Sequence, residues 1–486
     1  MLGTLSVWTL AEDEPRRLGR LQFDGERSVF EYDREAADLP GIGLAYDPKR
    51  LVGHRIPWTA THDEPLHPIF MSLVPPCDAT NLQYRIAAKA LGFTRDTLHE
   101  EWLMLPFLGH GSLGHLDVFE TDAEAIRWYR GEMPKPADLA DGEIVTLALD
   151  ALAAGHDPIA LDRVIEAVGR APSPGGAMPK IMHRIVWPGS EAAVDAIVKF
   201  ERVDGKRPDL LLLEDWAYGV HERIGLTVPR RALFRDPKGN HVLATERFDR
   251  MPGRCVPMES VYSVLKSYAP EAFPDPFTRV YGTEPNFEMV AAAFANPRTG
   301  MTVDVAADCR DLYTRIVLSF LTANGDLHLR NLSILGPRGA ARLSPVYDPA
   351  PMRLFGGVDM HTAVTFGNLR FYGPRLPDGF AEALLELGKS FRLPTPTARS
   401  IVDDAFELTR HAADEILAAG ATAGTVSRFV DLVAEVRSAI EGTLVRRPVP
   451  KRPERRRRRV TEAPPAEGPD DALPAGPAVE TIRPGF

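Results

Sequence analysis

Asn324-Gly325-Asp326-Leu327-His328-Leu329-Arg330-Asn331, followed by Tyr347-Asp348, is the stretch that decides the reading of this 486-residue chain. It sets an aspartate, an asparagine five residues on, and a second aspartate 17 residues beyond that. Asp326 can take up or orient a hydroxyl proton. The Asn331 amide oxygen and the Asp348 carboxylate are hard oxygen donors suited to Mg²⁺. Together they form the acidic apparatus of a phosphotransferase.

The interval from Asp326 to Asn331 fits the D-L-x-x-x-N of a protein-kinase catalytic loop. Asn324-Gly325 replaces the His-Arg pair that normally precedes it, and Tyr347-Asp348-Pro349 stands where D-F-G would. An ordinary eukaryotic-type kinase is therefore excluded. If Asp326 works on ATP, three further parts are needed upstream. The first is a loop over the phosphates: in Ser173-Pro174-Gly175-Gly176-Ala177-Met178-Pro179-Lys180, Gly175 and Gly176 permit close backbone approach and Lys180 adds charge. A Gly-Pro surface turn is the bland alternative. The second is a strand lysine for the phosphates. Lys199 in Ala196-Ile197-Val198-Lys199-Phe200 matches V-A-I-K, though such a lysine is usually a solvated edge charge. The third is a helical carboxylate to hold that lysine. Glu214 is the candidate and Asp215 its rival. Beyond these, Glu246-Arg247-Phe248 would end a strand or form a hinge whose backbone holds adenine. Each feature is weak alone; their order carries the reading.

Alternating apolar and polar positions over residues 1–60 predict strands, with Leu18–Phe23 and Ser28–Tyr32 paired. Residues 82–106 and 140–170 read as helical, and Gly109–Phe119 as a glycine-broken entry into a strand. Strands are expected at 181–186 and 195–200, a helix at 210–224 and a hairpin at 231–248. Helices are expected to dominate from Asp304, filling 372–390 and 395–445. The expected domains are 1–135, a small mixed α/β unit; 136–250, the nucleotide-binding lobe; 251–445, a helical catalytic lobe; and 446–486, a disordered tail. Arg446–Arg459 carries nine Arg or Lys and one Glu, a local charge of +8, before a Pro/Ala/acidic end. Two readings stay open for it: a solvated extension, or a segment that tracks nucleic-acid phosphates.

Composition sets the class. Hydrophobic residues make up 44% and charged residues 26%, and the net charge is −10, so the chain as a whole does not advertise nucleic-acid binding. The three cysteines, Cys77, Cys255 and Cys309, form no Cys-x-x-Cys pair, which suits a reducing cytosol and argues against zinc or a disulfide framework. The histidines at 54, 62, 67, 110 and 115 lack tight metal spacing. The first residues read as a strand and not a signal peptide, and no long apolar run predicts a membrane span.

At this point the chain resembles the HipA family, the serine/threonine kinase toxins of bacterial toxin–antitoxin systems. The resemblance spans about residues 1–445. It rests on Ser173 to Lys180, Ile197-Val198-Lys199-Phe200, Glu246-Arg247-Phe248-Asp249-Arg250, Asn324 to Ser333, and Leu343 to Asp348. It implies an α+β, two-lobed protein-kinase-like (PI3/4-kinase-like) fold with an N-terminal mixed α/β subdomain and a helical C-terminal lobe. By position, Asp326 would be catalytic, and Asn331 and Asp348 would hold Mg²⁺. Lys199, His328 and Tyr347 would lie at the ATP. Gly175, Gly176, Ala177, Met178, Pro179 and Lys180 would cover its phosphates, and Glu246, Arg247 and Phe248 would hold adenine. Ser173 matches the family's autophosphorylated serine, where a phosphate would eject the loop. Met178 departs from the glutamine usual there.

The same resemblance implies a small DNA-binding antitoxin as partner, DNA reached through it or through the Arg-rich tail, and a protein substrate such as an aminoacyl-tRNA synthetase. Two alternatives remain: a small-molecule kinase of related fold, and an antitoxin-bound co-repressor with vestigial activity.

Overall fold

Period-two burial in the first 60 residues builds an antiparallel sheet. Its strands are β1 (Gly3–Thr9), β2 (Arg16–Phe23), β3 (Arg27–Tyr32), β4 (Arg55–Thr59) and β5 (Leu116–Phe119), in the order β4-β3-β2-β1-β5. Ser28, Phe30 and Tyr32 of β3 are buried while Arg27 and Glu31 face solvent. Phe23 and Phe30 share one apolar core with Trp102, Met104 and Leu105 of the helix Glu100–Leu108. Gly19 is required where β2 meets β3, since a Cβ there would lie 2.0 Å from the Glu31 carbonyl oxygen. The computed structural model describes residues 3–60, 64–79, 81–132, 178–187, 190, 192–202, 204–236, 239–269, 286–355, 361–369, 371 and 375–445. The helix expected at 140–170, the linker near 133–136, the loop from Ser173 to Ala177 and the tail from Arg446 lie outside them.

A second antiparallel sheet joins β6 (Lys180–Val186), β7 (Ala193–Glu201), β8 (Arg231–Arg235) and β9 (His241–Glu246) in the order β6-β7-β9-β8. The helix Leu210–Arg223 packs against it, burying Leu210, Leu211, Leu212 and Leu213. A hairpin follows, β10 (Arg250–Met251) with β11 (Arg254–Cys255). A small sheet then joins β12 (Met258–Ser260), β13 (Ser333–Leu335) and β14 (Arg342–Leu343). Residues 1–444 form one compact unit of mixed α/β structure.

The helix Val305–Leu321 runs through the C-terminal core and is buried continuously from Leu312 onward. Asp304 caps it, accepting the Ala307 N–H at 3.1 Å. Phe320 packs among Phe366, Phe371 and Phe380, and Cys309 on the same helix is a buried small hydrophobe. Three helical expectations are corrected. The stretch 372–390 is helical only over Phe380–Ser390, with residues 375–379 leading into it in non-helical backbone. The stretch 82–106 is two helices, Leu82–Ala90 and Glu100–Leu108, because Gly92 turns the chain at φ +68°. The stretch 395–445 is three helices, Thr395–Leu408, Ala412–Ala418 and Ala423–Val445. Arg437 ends the first by donating to the carbonyls of Phe406 and Thr409 at 3.3 and 3.4 Å, and Gly420 at φ +103° ends the second. Among the described residues no helix is long and apolar enough to cross a membrane.

Candidate active site

The helix Val305–Leu321 delivers the chain into a tight turn. Ala323 (φ 56°) and Gly325 (φ 67°) both adopt left-handed backbone, and the buried Asn324 between them accepts the Asp326 N–H at 2.9 Å. The Asn331 Nδ2 donates to the Asp326 carbonyl at 3.1 Å, which closes the segment on itself and commits the nitrogen end of the amide. The Asn331 N–H donates to His328 Nδ1 at 3.2 Å, so Nδ1 is an acceptor. His328 Nε2 lies 3.9 Å from Asp326 Oδ1. Burial raises the Asp326 carboxyl above its ordinary range, and Asp348 adds to the rise while His328, Arg207 and Lys180 oppose it. Its side chain keeps 35% of its exposure.

The opposite wall comes from the second sheet. Lys180 of β6 and Lys199 of β7 are direct cross-strand partners, so both side chains emerge on one face. Like charges so placed repel unless anions lie among them. Lys199 Nζ donates at 2.5 Å to Glu214 Oε1 and at 2.5 Å to Asp348 Oδ1. Burial pulls the Lys199 pKa down, and Asp348 with Glu214 overcomes it and holds the ammonium charged. Burial would likewise raise Asp348, and Lys199 with Lys180 instead holds its carboxyl well below the usual range. Glu214 is fully buried; desolvation raises its pKa against the pull of Lys199, and its Oε2 has no hydrogen-bond partner among the described residues. Burial lowers Lys180 to about 8. Asp348 takes a left-handed φ of 54°, and its N–H donates to Tyr218 OH at 3.1 Å. Asp215, the rival carboxylate, pairs instead with Arg231 at 2.9 Å. One helical residue, about 100° of rotation, separates the two fates.

The family model for the HipA-like C-terminal domain matches residues 172–413, which include every one of these side chains. The chain belongs to the HipA family. The HipA toxin of Shewanella oneidensis MR-1, solved with HipB and operator DNA, has a similar fold. Its TM-score is 0.53 at 16% identity, covering 91% of this chain and 97% of that one. A curated relative from Sinorhizobium fredii, named "Putative kinase Y4dM", is 26% identical over 163 residues. That match covers 33% of this chain and spans 36% of the relative's length.

In this HipA-family chain the Glu246-Arg247-Phe248-Asp249-Arg250 segment divides its labour in a way its sequence does not reveal. The sequence reading gives the Glu246-Arg247-Phe248 backbone to adenine; in the structure the Arg247 guanidinium is committed elsewhere. Arg247 donates to Asp249 Oδ1 at 3.0 Å and to the carbonyls of Gly111 and Ser112 at 3.0 and 2.6 Å. Arg250 joins it on the carbonyls of Ser112 and Gly114, and Asp249 accepts the Gly114 N–H at 2.7 Å. The motif thus latches the glycine-broken segment before β5 onto the second sheet. The backbone N–H groups of Glu246 and Arg247 are also committed, to Arg230 and Asp195 carbonyls at 2.8 and 2.9 Å. Glu246 Oε2 accepts from Trp187 Nε1 at 3.0 Å. The Phe248 ring centroid lies 6.0 Å from that of Tyr347. The Tyr347 hydroxyl is occupied by Ser333 Oγ at 2.7 Å and the Arg330 carbonyl at 2.9 Å, which leaves its ring as the part that could meet a ligand.

Of the phosphate-loop residues, Met178, Pro179 and Lys180 are described, and Gly175, Gly176, Ala177 and Ser173 are not. Sequence reasoning missed Arg207. It lies in the turn before the helix Leu210–Arg223, and its Nη1 reaches Met178 Sδ at 3.6 Å. A thioether is a poor partner for a guanidinium, and the same charge acts on Asp326. No local pattern in Gly205-Lys206-Arg207-Pro208 signals that position.

Proposed function

We propose that this chain is a Mg·ATP-dependent serine/threonine protein kinase and the toxin of a HipA-type toxin–antitoxin module acting in the cytosol. The observation that carries the reading is Lys199 gripped between Glu214 and Asp348 at 2.5 Å each, on the same cleft as Asp326 and Asn331. The residues fit the nucleotide. Two lysines in register offer charge to a triphosphate, and Asp348 with the Asn331 amide oxygen offers hard donors. Two protein donors suit Mg²⁺, which keeps waters and phosphate oxygens in its shell. When bound, Mg²⁺ would neutralise charge on the transferring phosphates.

The chain's own residues do the rest. Lys199 and Lys180 neutralise phosphate oxygens, and Arg207 supplies a third cation near Asp326. Asp326 accepts the substrate hydroxyl proton as the new oxygen–phosphorus bond forms and the bond to the ADP oxygen breaks. Positioning and charge supply most of the rate. Adenine lies against Phe248 and the Tyr347 ring. The complex formed by the Shewanella protein supports a small DNA-binding antitoxin as partner here. The family resemblance supports a translation component such as an aminoacyl-tRNA synthetase as substrate, and Ser173 as the site of autophosphorylation.

The test offers γ-labelled ATP and Mg²⁺ to the purified chain with cell lysate. Labelled protein that disappears with Asp326→Ala supports a protein kinase. Label confined to small molecules defeats it in favour of a small-molecule kinase.

A further inference from the structure

Next to Asn331, Arg330 is held by a residue from a distant part of the chain. Glu64 follows β4 of the N-terminal sheet domain, and its side chain is only 3% exposed. Its carboxylate accepts a short hydrogen bond from the Tyr262 hydroxyl, and it pairs with Lys266 Nζ at 3.2 Å and Arg330 Nη2 at 3.5 Å. The Arg330 guanidinium lies 4.1 Å above the Tyr262 ring. Tyr262 and Lys266 stand one turn apart on the helix Val261–Tyr268, so one helix face and one carboxylate box in the guanidinium.

The backbone around Arg330 is held as tightly. The first amides of that helix, Val261 and Tyr262, donate to the Leu332 and Leu329 carbonyls at 2.8 and 3.1 Å. The Tyr347 hydroxyl donates to the Arg330 carbonyl at 2.9 Å. Lys266 and Arg330 share the Glu64 carboxylate, so its removal would weaken the attraction that holds the two cations side by side. The guanidinium would then sit less firmly on the ring, and the peptide that joins Arg330 to Asn331 would keep its backbone hydrogen bonds but lose the support of its side chain.

We propose that Glu64 is a positioning residue. From the N-terminal sheet domain it fixes the Arg330–Asn331 peptide, and so the Asn331 amide that the catalytic segment places at Asp326. The proposal rests on the kinase reading for its effect on rate, but not for its effect on the segment. It makes the N-terminal domain a working part of the site and not a separate module.

Two measurements on the full chain test it. In hydrogen exchange without nucleotide, Glu64→Gln should speed exchange of the amides at 326–332 by about fivefold or more, while those of Val305–Leu321 stay unchanged. In single-turnover transfer, Glu64→Gln should lower the rate by about tenfold or more with ATP KM within about twofold of wild type. Arg330→Gln should act alike, the double variant should lose no more than the worse single, and Arg330→Lys should recover part of the rate. If Glu64→Gln does not fold, Arg330→Gln carries the same two readouts. Uniform exchange across the chain, or rate losses that multiply in the double variant, would overturn the proposal and leave Glu64 a simple domain staple. Should wild type transfer no phosphate at all, the kinase reading fails, while the exchange result still decides the brace.

Discussion

Lys199→Met separates the stability of the site from its chemistry. Lys199 lies 2.5 Å from each of two carboxylates. At that distance and an effective dielectric of ~20, each contact carries roughly 7 kcal/mol of Coulomb attraction. Desolvation of the buried ions takes back several kcal/mol per ion. Removing the cation alone strands Glu214, which is fully buried, and Asp348, which keeps 29% exposure and recovers part of its loss through water. The expected cost is therefore about 3–5 kcal/mol, most of it from Glu214. Glu214→Gln alone leaves Lys199 paired with Asp348 and should cost about 1–3 kcal/mol. The double variant removes charge from both sides and should return to within about 2 kcal/mol of wild type, a coupling of about 4 kcal/mol at the midpoints of the two single losses. Urea unfolding of the four proteins gives the cycle, with equal m-values as the control. Neither Lys199 variant should transfer phosphate, however stable it is. Additive losses in the double variant would refute the argument, because they would mean Glu214 is not held by Lys199.

Asp249→Ala leaves Arg247 and Arg250 without their shared carboxylate and should destabilise the chain by about 3–5 kcal/mol in the same unfolding assay; a loss under about 1 kcal/mol would count against the latch. Glu259 is buried, accepts from the Leu44 N–H and Ser263 Oγ at 2.8 and 2.7 Å, and is raised by burial to about 7. The folded state then binds a proton that the unfolded state lacks between the ordinary value of 4.5 and about 7, so stability falls as pH rises through that window. Glu259→Gln should be near neutral at pH ~5 and stabilising by up to ~3 kcal/mol at pH ~8, and equal unfolding midpoints for the two proteins at pH ~8 would contradict this. Lys180 has the opposite sign. Lowered from 10.5 to about 8, it is neutral in the folded state while still charged in the unfolded one, so stability rises with pH across that window. Bound triphosphate would pull the proton back. Calorimetry at pH ~8.5 in two buffers of different ionisation heat should show proton uptake, absent in Lys180→Met; identical heats in wild type would argue against it.

Much of the site was written in local sequence. Asp326 and Asn331 are legible as a pair because a single turn fixes the five-residue interval between them. The strands at 181–186 and 195–200 are legible as short apolar runs, but the sequence reading leaves Lys180 in the phosphate loop, and only the pairing of β6 with β7 sets it opposite Lys199. Glu214 against Asp215 stayed open in the sequence, since adjacent residues on a helix differ only in rotation, and packing against β7 settled it. What could not be read were long-range partnerships. Arg247 looks like a nucleotide contact until Gly111 and Ser112, far upstream, claim its guanidinium. Arg207 and Glu64 carry no motif, and their meaning lies wholly in Met178 and Arg330. The break after Leu408 was hidden for the same reason, because Arg437 from a later helix satisfies its final carbonyls.

The central claim is that Asp326 receives the proton of the accepting hydroxyl in a cleft that binds Mg·ATP without its help. The direct measurement is single-turnover transfer from γ-labelled ATP by wild type and Asp326→Ala, with nucleotide affinity determined on both. The account predicts that the variant folds and binds nucleotide within a few-fold of wild type but labels neither itself nor any protein. Labelling by Asp326→Ala at the wild-type rate would contradict it.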